Sequence, residues 1–130
     1  MRTTIARVVI GAAAFLLAGV AVAQGVPQIE VQAKRVMSTK TVEHIAGGVP
    51  VIDVSVSYTV SARDIDISTS SGAKVLEQRV KDAAATACKE ISRQFPDATP
   101  NEAECANTAA AKAMTQVHLM VATAEKNRTK

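Results

Sequence analysis

The N-terminal half of the chain contains two stretches in which apolar and polar residues alternate. In the first stretch, apolar side chains occupy every second position from residue 29 to residue 33. In the second, which is longer and stricter, they occupy every second position from residue 52 to residue 60. A period of two residues is typical of a strand with one buried face. The glycine-containing segment 46–50 separates the stretches and favours a turn, so we predict an antiparallel β-hairpin within residues 24–62.

After residue 68 the apolar residues recur at intervals of three and four, which is the spacing of one helix face. The hydroxyl side chains at 68–71 are suitable N-caps, because they accept hydrogen bonds from the free amides of a first turn. Phe95 and Pro96 predict the end of this helix, since helices usually stop at or before the residue that precedes a proline. The predicted apolar face consists of Val75, Leu76, Val80, Ala83, Ala84, Ala87, Cys88, Ile91 and Phe95.

A second helix is predicted to begin near residue 99. In this interpretation Thr99 is the N-cap, Pro100 is the first helical residue and Glu102 is the third, which is the capping-box arrangement. Its predicted inner face consists of Cys105, Ala109, Ala113, Val117, Met120, Val121 and Ala124. Two helices joined by a short turn form an antiparallel pair, so residues 68–127 are predicted to be a helical hairpin.

Two cysteines lie on opposite sides of the predicted turn between the helices. Cys88 precedes Pro96 by eight positions and Cys105 follows it by nine, and each cysteine falls on the apolar face of its helix. Residues at similar distances from the turn of a helical hairpin lie opposite each other, so we predict a Cys88–Cys105 disulfide. The predicted fold is α+β, with an N-terminal antiparallel β-hairpin packed on a C-terminal antiparallel helical hairpin that this disulfide cross-links.

The first 23 residues have the pattern of an export signal. Arg2 and Arg7 precede an unbroken run of apolar or small residues, and small residues at positions 21 and 23 match a cleavage motif. We predict cleavage between Ala23 and Gln24, which leaves residues 24–130 as one domain, periplasmic or secreted, without a membrane span. The alternative is an uncleaved anchor, but the run is short for the about 20 apolar residues that span a bilayer. An oxidising compartment also permits the predicted disulfide.

The charge of the predicted domain is close to zero. The whole chain has 15 Lys and Arg against 12 Asp and Glu, but two of the basic residues belong to the predicted signal. The remaining charges are interspersed rather than grouped by sign. This balance gives no reason to expect binding to nucleic acid or to an anionic membrane.

The residues that carry chemistry in other proteins form no recognisable catalytic, cofactor or metal motif here. No serine lies in a G-x-S-x-G context, and the cysteines are not in a C-x-x-C motif. The histidines, His44 and His118, are fewer than the three or four ligands of a zinc site. Asp64 and Asp66 precede the first helix, where the helix dipole favours carboxylates; a cation site is the alternative interpretation. We therefore predict a protein that is not an enzyme and holds no cofactor.

An ordered set of short segments runs through the predicted domain. It comprises residues 31–36, 48–50, 60–61, 64–69, 72–73, Leu76, residues 79–80, 83–84, Cys88, residues 95–96 and Cys105. Together with the signal pattern, this set resembles the UrcA family of small exported proteobacterial proteins, whose function is uncharacterised. That family commonly has an aromatic residue two positions before the first aspartate, where this chain has Ala62. The resemblance implies an exported protein with paired cysteines and carries over no activity.

The sequence is compatible with two classes of function. The first is a binding or structural module of the cell envelope, which contacts an envelope protein or a second copy of itself through a strand edge. A long hairpin favours this class, because the outer edges of a two-stranded sheet have unpaired backbone groups. The second is a small-ligand or metal-binding protein related to stress, for which the acidic connector at 64–66 and the two histidines are the motivation.

Overall fold

A computed structural model describes residues 27–38 and 51–130, which form a two-stranded sheet followed by two helices. The strands are β1 (Gln28–Ser38) and β2 (Val51–Ser61), and the helices are α1 (Ser70–Gln94) and α2 (Glu102–Arg128). The predicted α+β fold is confirmed. The signal with its cleavage site at Ala23 and Gln24, the turn at 46–50 and His44 lie outside the described residues.

The two strands pair antiparallel in a continuous register, from Gln28 opposite Ser61 to Ser38 opposite Val51. The alternation in β1 has the predicted effect, because Ile29, Val31 and Ala33 face the helices and are fully buried. These side chains form one hydrophobic core with the inner faces of both helices. The core therefore lies under β1 rather than midway between the strands.

Helix α1 begins and ends where its caps predict. The side chain of Thr69 accepts a hydrogen bond from the amide of Gly72 at 3.1 Å, and the helix ends at Gln94 with Phe95 as its C-cap. Six of the nine predicted apolar positions are buried: Leu76, Val80, Ala84, Ala87, Cys88 and Ile91. The prediction for Val75 is wrong, because this residue lies about 100° around the helix from Leu76 and 43% of it is exposed.

Helix α2 begins two residues later than predicted. Its N-cap is Asn101, whose side chain accepts a hydrogen bond from the amide of Glu104 at 3.0 Å. The prediction of Thr99 as N-cap and Pro100 as first helical residue is wrong. The physical reason is that Thr99 is engaged elsewhere, since its N–H and C=O both bond to Val36 of β1.

The helices pack as an antiparallel pair that is cross-linked near its turn. Cys88 and Cys105 form the predicted disulfide, with their Cα atoms 5.9 Å apart, and both residues are buried. Ala109 and Ala113 continue the buried face of α2, and their short side chains allow close contact between helices. In the part of the chain that the structure describes, neither helix combines the length and apolar character needed to cross a membrane.

Candidate functional site

The direction of the backbone groups in each strand follows from two contacts at the ends of the sheet. In an antiparallel pair, alternate residues bond to the partner strand and the others point to the outer edge. Val36 exchanges two backbone hydrogen bonds with Thr99, of 2.7 and 2.8 Å, across the outer edge of β1. Pro27 instead accepts a bond from Ala62, in continuation of the β1–β2 pairing. Odd-numbered residues of β1 therefore bond to even-numbered residues of β2, and odd-numbered residues of β2 point outward.

The outer edge of β2 thus presents a row of backbone groups that have no partner among residues 27–38 and 51–130, and we call this row the β2 edge. It consists of the N–H and C=O groups of Val51, Asp53, Ser55, Ser57 and Thr59. Among the described residues, no backbone group bonds to this row. The row stops before Ser61, because the C=O of Ser61 accepts a hydrogen bond from Arg79 at 3.1 Å.

Four apolar side chains run beside the β2 edge on the face of the sheet that meets the helices. Val54 and Val56 are half-buried, whereas Ile52 is 49% exposed and Tyr58 is 39% exposed. Within the described residues α2 packs on β1 and not on β2, so α1 alone supports this part of the sheet. The strictest alternation in the sequence predicts that this face packs on the helices, and that prediction is fully met only at Val60.

The β2 edge has few of the features that usually protect an edge strand from other chains. Such features are charged side chains, prolines and bulges. From residue 51 to residue 59 the only charged side chain is Asp53, and there is no proline. The register contains no bulge. Asp53 itself pairs with Lys34 of β1 at 3.0 Å on the solvent face, so its charge is partly balanced within the chain.

The outer edge of β1 is less accessible. Thr99 pairs with it at one end, and α2 contacts β1 but not β2 among the described elements. Between β1 and α2 there is an open groove of about 350 Å³, lined by Glu30, Gln32, Ala109, Lys112, Ala113 and Gln116. Its lining is mostly polar and carries charges of both signs, so it offers an incoming chain little apolar surface to bury.

The acidic connector before α1 is occupied by protein partners. Both carboxylate oxygens of Asp64 accept hydrogen bonds from Arg79, at 2.7 and 2.5 Å, which lowers the pKa of Asp64 to about 2. Asp66 accepts from the side chain and amide of Ser68, which lowers its pKa as well. His118 is exposed on α2, and no three His, Cys, Asp or Glu side chains in the described ranges are grouped to share a metal ion.

Arg35 is a buried residue whose role is not predicted from the hydrophobic pattern. It occupies a core-facing position of β1 and is 3% exposed. Its guanidinium donates to the C=O of Pro100 at 2.7 Å, to the hydroxyl of Ser92 at 2.5 Å and to the C=O of Ala98. An arginine at a buried position of an alternating strand was the signal for such a role. Arg35 is structural, because it fastens β1 to the turn between the helices.

The two cysteines are likewise structural. They are 0% and 2% exposed, so the disulfide is shielded from reductants in solution while the protein is folded. Disulfides persist in oxidising compartments, which include the outside of the cell. The bond between Cys88 and Cys105 is therefore consistent with an oxidising, extracellular environment.

Comparison of the chain with models of protein families, with curated proteins and with solved structures found no match. What the β2 edge can do follows from its own groups. A row of backbone donors and acceptors beside an apolar strip binds an extended chain, since main-chain hydrogen bonds supply affinity and side-chain contacts supply specificity.

Proposed function

We propose that this protein is an exported, non-catalytic binding or structural module of the cell envelope that holds its partner by strand addition at the β2 edge. The observation that carries the proposal is the backbone row at 51–59, which has no partner within the described residues and lies beside the half-exposed side chains of Ile52 and Tyr58. A partner strand would satisfy the backbone groups and cover the apolar side chains at the same time.

Three observations support an envelope location. The first 23 residues match an export signal, with cleavage between Ala23 and Gln24. The disulfide between Cys88 and Cys105 is a bond that an oxidising compartment maintains. The ordered segments of the domain resemble the UrcA family of exported proteins. We therefore propose that the mature domain acts in the periplasm or outside the cell.

The alternative function, binding of a metal ion or small ligand, has less support. Its motivation is the acidic connector and the two histidines, but a cation at Asp64 would have to displace the guanidinium of Arg79 from both carboxylate oxygens. Asp66 is similarly engaged by Ser68. Strand addition needs no such displacement, because the backbone groups of the β2 edge have no partner within the described residues.

The proposal is tested by photo-crosslinking in living cells. The photoreactive residue p-benzoylphenylalanine is placed at Ser57 on the β2 edge, and in a matched strain at Gln32, which lies directly opposite Ser57 on β1. We expect a discrete adduct from position 57 and none from position 32. The adduct should disappear when Ser55→Pro is added, because this proline removes an outward N–H without breaking a β1–β2 hydrogen bond.

Two outcomes would contradict strand addition at the β2 edge. One is the absence of any adduct from position 57. The other is an equal yield of the same adduct from positions 57 and 32, since Gln32 lines the groove beside α2 and would then report a partner bound there.

A further inference from the structure

We propose that the strand added at the β2 edge is β2 of a second copy of this chain, related by a two-fold axis at Ser55. This inference rests on the proposed function and specifies its partner. The two β2 strands would run antiparallel and join two hairpins into one four-stranded sheet. The interface is isologous, so the same surface has to be complementary to itself.

The backbone directions restrict which residues can pair. Only odd-numbered residues of β2 point outward, so hydrogen-bonded pairs across the axis have to join odd residues. With the axis at Ser55, Ser55 faces its own copy, Asp53 faces Ser57 and Val51 faces Thr59. This register uses all five residues of the β2 edge. It excludes Ser61, whose C=O already accepts a hydrogen bond from Arg79.

The same register matches the exposed apolar side chains. Ile52 of one copy lies opposite Tyr58 of the other, and Val54 lies opposite Val56. These are non-hydrogen-bonded pairs, in which the side chains of antiparallel strands approach most closely, with Cα atoms about 4.5 Å apart. Ile52 and Tyr58, the two most exposed of these four side chains, thereby cover each other. Moving the axis to Val56 would instead place Ile52 opposite Val60, which is already buried.

Electrostatics favours a second copy over a charged partner strand. The β2 edge has one charged side chain, Asp53, and no cluster of either sign that would select a partner of opposite charge. In the proposed register each Asp53 faces Ser57, and the two aspartates are four residues apart along the sheet. That separation is roughly 13 Å, beyond the Debye length at physiological salt, so their repulsion is screened.

A cysteine pair distinguishes the proposed axis from neighbouring registers. Ser55→Cys places two thiols opposite each other, at about the 5.5 Å Cα separation of a hydrogen-bonded pair, which a disulfide can span. Ser57→Cys is the matched control, because it alters the same residue type on the same edge and face, yet its copies lie roughly 13 Å apart. Mild oxidation should cross-link Ser55→Cys efficiently and Ser57→Cys at most about a tenth as well.

Charge substitutions provide a second test, read out as mass by light scattering on the purified exported protein. We expect the wild type to have twice the mass of one chain. Ser55→Lys and Ser55→Glu should each be monomeric, because like charges meet at the axis. An equimolar mixture of these two variants should regain the dimer mass. Ser57→Lys is the control and should remain dimeric, because its ammonium faces Asp53 of the other copy.

The results separate the failure of this inference from the failure of the proposed function. A monomeric wild type that gives an adduct with another protein from position 57 would overturn self-association and retain strand addition. A monomer without any adduct would overturn both. Cross-linking to residues 24–26 or 39–50 of the same chain would also overturn the dimer, because the β2 edge would then be covered from within. Cross-linking of Ser57→Cys but not of Ser55→Cys would reject the proposed axis.

Discussion

Both terminal nitrogens of Arg79 on α1 donate hydrogen bonds to the two carboxylate oxygens of Asp64, 15 residues earlier in the chain. One of those nitrogens also donates to the C=O of Ser61, the last residue of β2. This side chain therefore connects the end of the sheet, the connector and the first helix. Planar, bidentate pairing of this kind is specific to arginine, and lysine cannot reproduce it.

The pairing predicts a particular response to acid. Because hydrogen bonding to Arg79 lowers the pKa of Asp64 from 3.8 to about 2 in the folded state, the folded protein binds this proton less readily than the unfolded chain. The stabilisation is therefore present above about pH 4 and is lost as the pH falls towards 2. Asp66, whose pKa is also lowered, contributes in the same direction. Asp64→Asn should lower the melting temperature at pH 6 and flatten its decline between pH 4 and pH 2.

The matched control for this experiment is Asp82→Asn. Asp82 is an exposed carboxylate on α1 that accepts a hydrogen bond from Gln78 one turn earlier. We expect its acid profile to follow the wild type. An Asp64→Asn profile that declines as steeply as the wild type would show that the contact with Arg79 does not stabilise the fold.

Gly72 is expected to resist substitution by alanine although it lies in a helix. A β-carbon at this position would overlap the backbone C=O of Asp66. Replacement of glycine by alanine in a helix normally stabilises by about 0.5–1 kcal/mol, but here the overlap should reverse the sign and cost about 1–3 kcal/mol. Chemical denaturation measures the change, with Ser70→Ala on the exposed first turn as control. A stabilised Gly72→Ala variant would contradict the close approach of Asp66.

Arg35 should be much less tolerant of change than its neighbour Lys34. Arg35→Ala leaves the C=O groups of Ala98 and Pro100 without their buried donor, which should cost at least about 2 kcal/mol in the free energy of unfolding. Lys34→Ala removes an exposed ion pair with Asp53 and should cost about 0–1 kcal/mol. Urea denaturation compares the two variants, and equal losses would contradict the role assigned to Arg35.

The disulfide should stabilise the fold substantially. Cys88 and Cys105 close a loop with a sequence separation of 17, which corresponds to about 3 kcal/mol in the chain-entropy model. The double variant Cys88→Ala/Cys105→Ala should lose about that amount or more. The burial of both cysteines further predicts that reductant leaves the folded protein cross-linked and acts only after denaturant is added. Intact mass under native and denaturing conditions measures this difference of two hydrogens.

Sequence periodicity is sufficient to predict the strands, the helices and the disulfide, because all of them depend on the spacing of nearby residues. The alternation in β1 and the three- and four-residue spacing in α1 identify residues that are buried in the structure. The position of Cys88 and Cys105 on either side of one turn was enough to pair them. A helical hairpin constrains the contacts of residues near its turn, so no long-range information was needed.

Periodicity does not predict the structure correctly where a contact between distant segments determines a helix boundary or the burial of a side chain. Thr99 looks like an N-cap from its neighbours, but Val36 uses its backbone and moves the start of α2 to Asn101. The strict alternation around Ile52 and Tyr58 predicts a buried strand face. In the structure α2 packs on β1 and not on β2, so these side chains stay half-covered. The sequence therefore predicts a strand edge as the contact surface, and this stays a prediction. Which edge it is depends on the position of α2, which the pattern does not contain.

The pairing of Val36 with Thr99 also means that the edge of β1 can be covered only after the second half of the chain has been made. The two residues are 63 positions apart, so at roughly 5–20 residues per second β1 is synthesised several seconds before Thr99, its partner at the outer edge. During that interval both edges of the nascent hairpin are open to other chains, the condition in which strands aggregate. Thr99 protects one end of the outer edge of β1, and it can do so only once the helical half is present. A chain that terminates before residue 99 should therefore accumulate in the insoluble fraction.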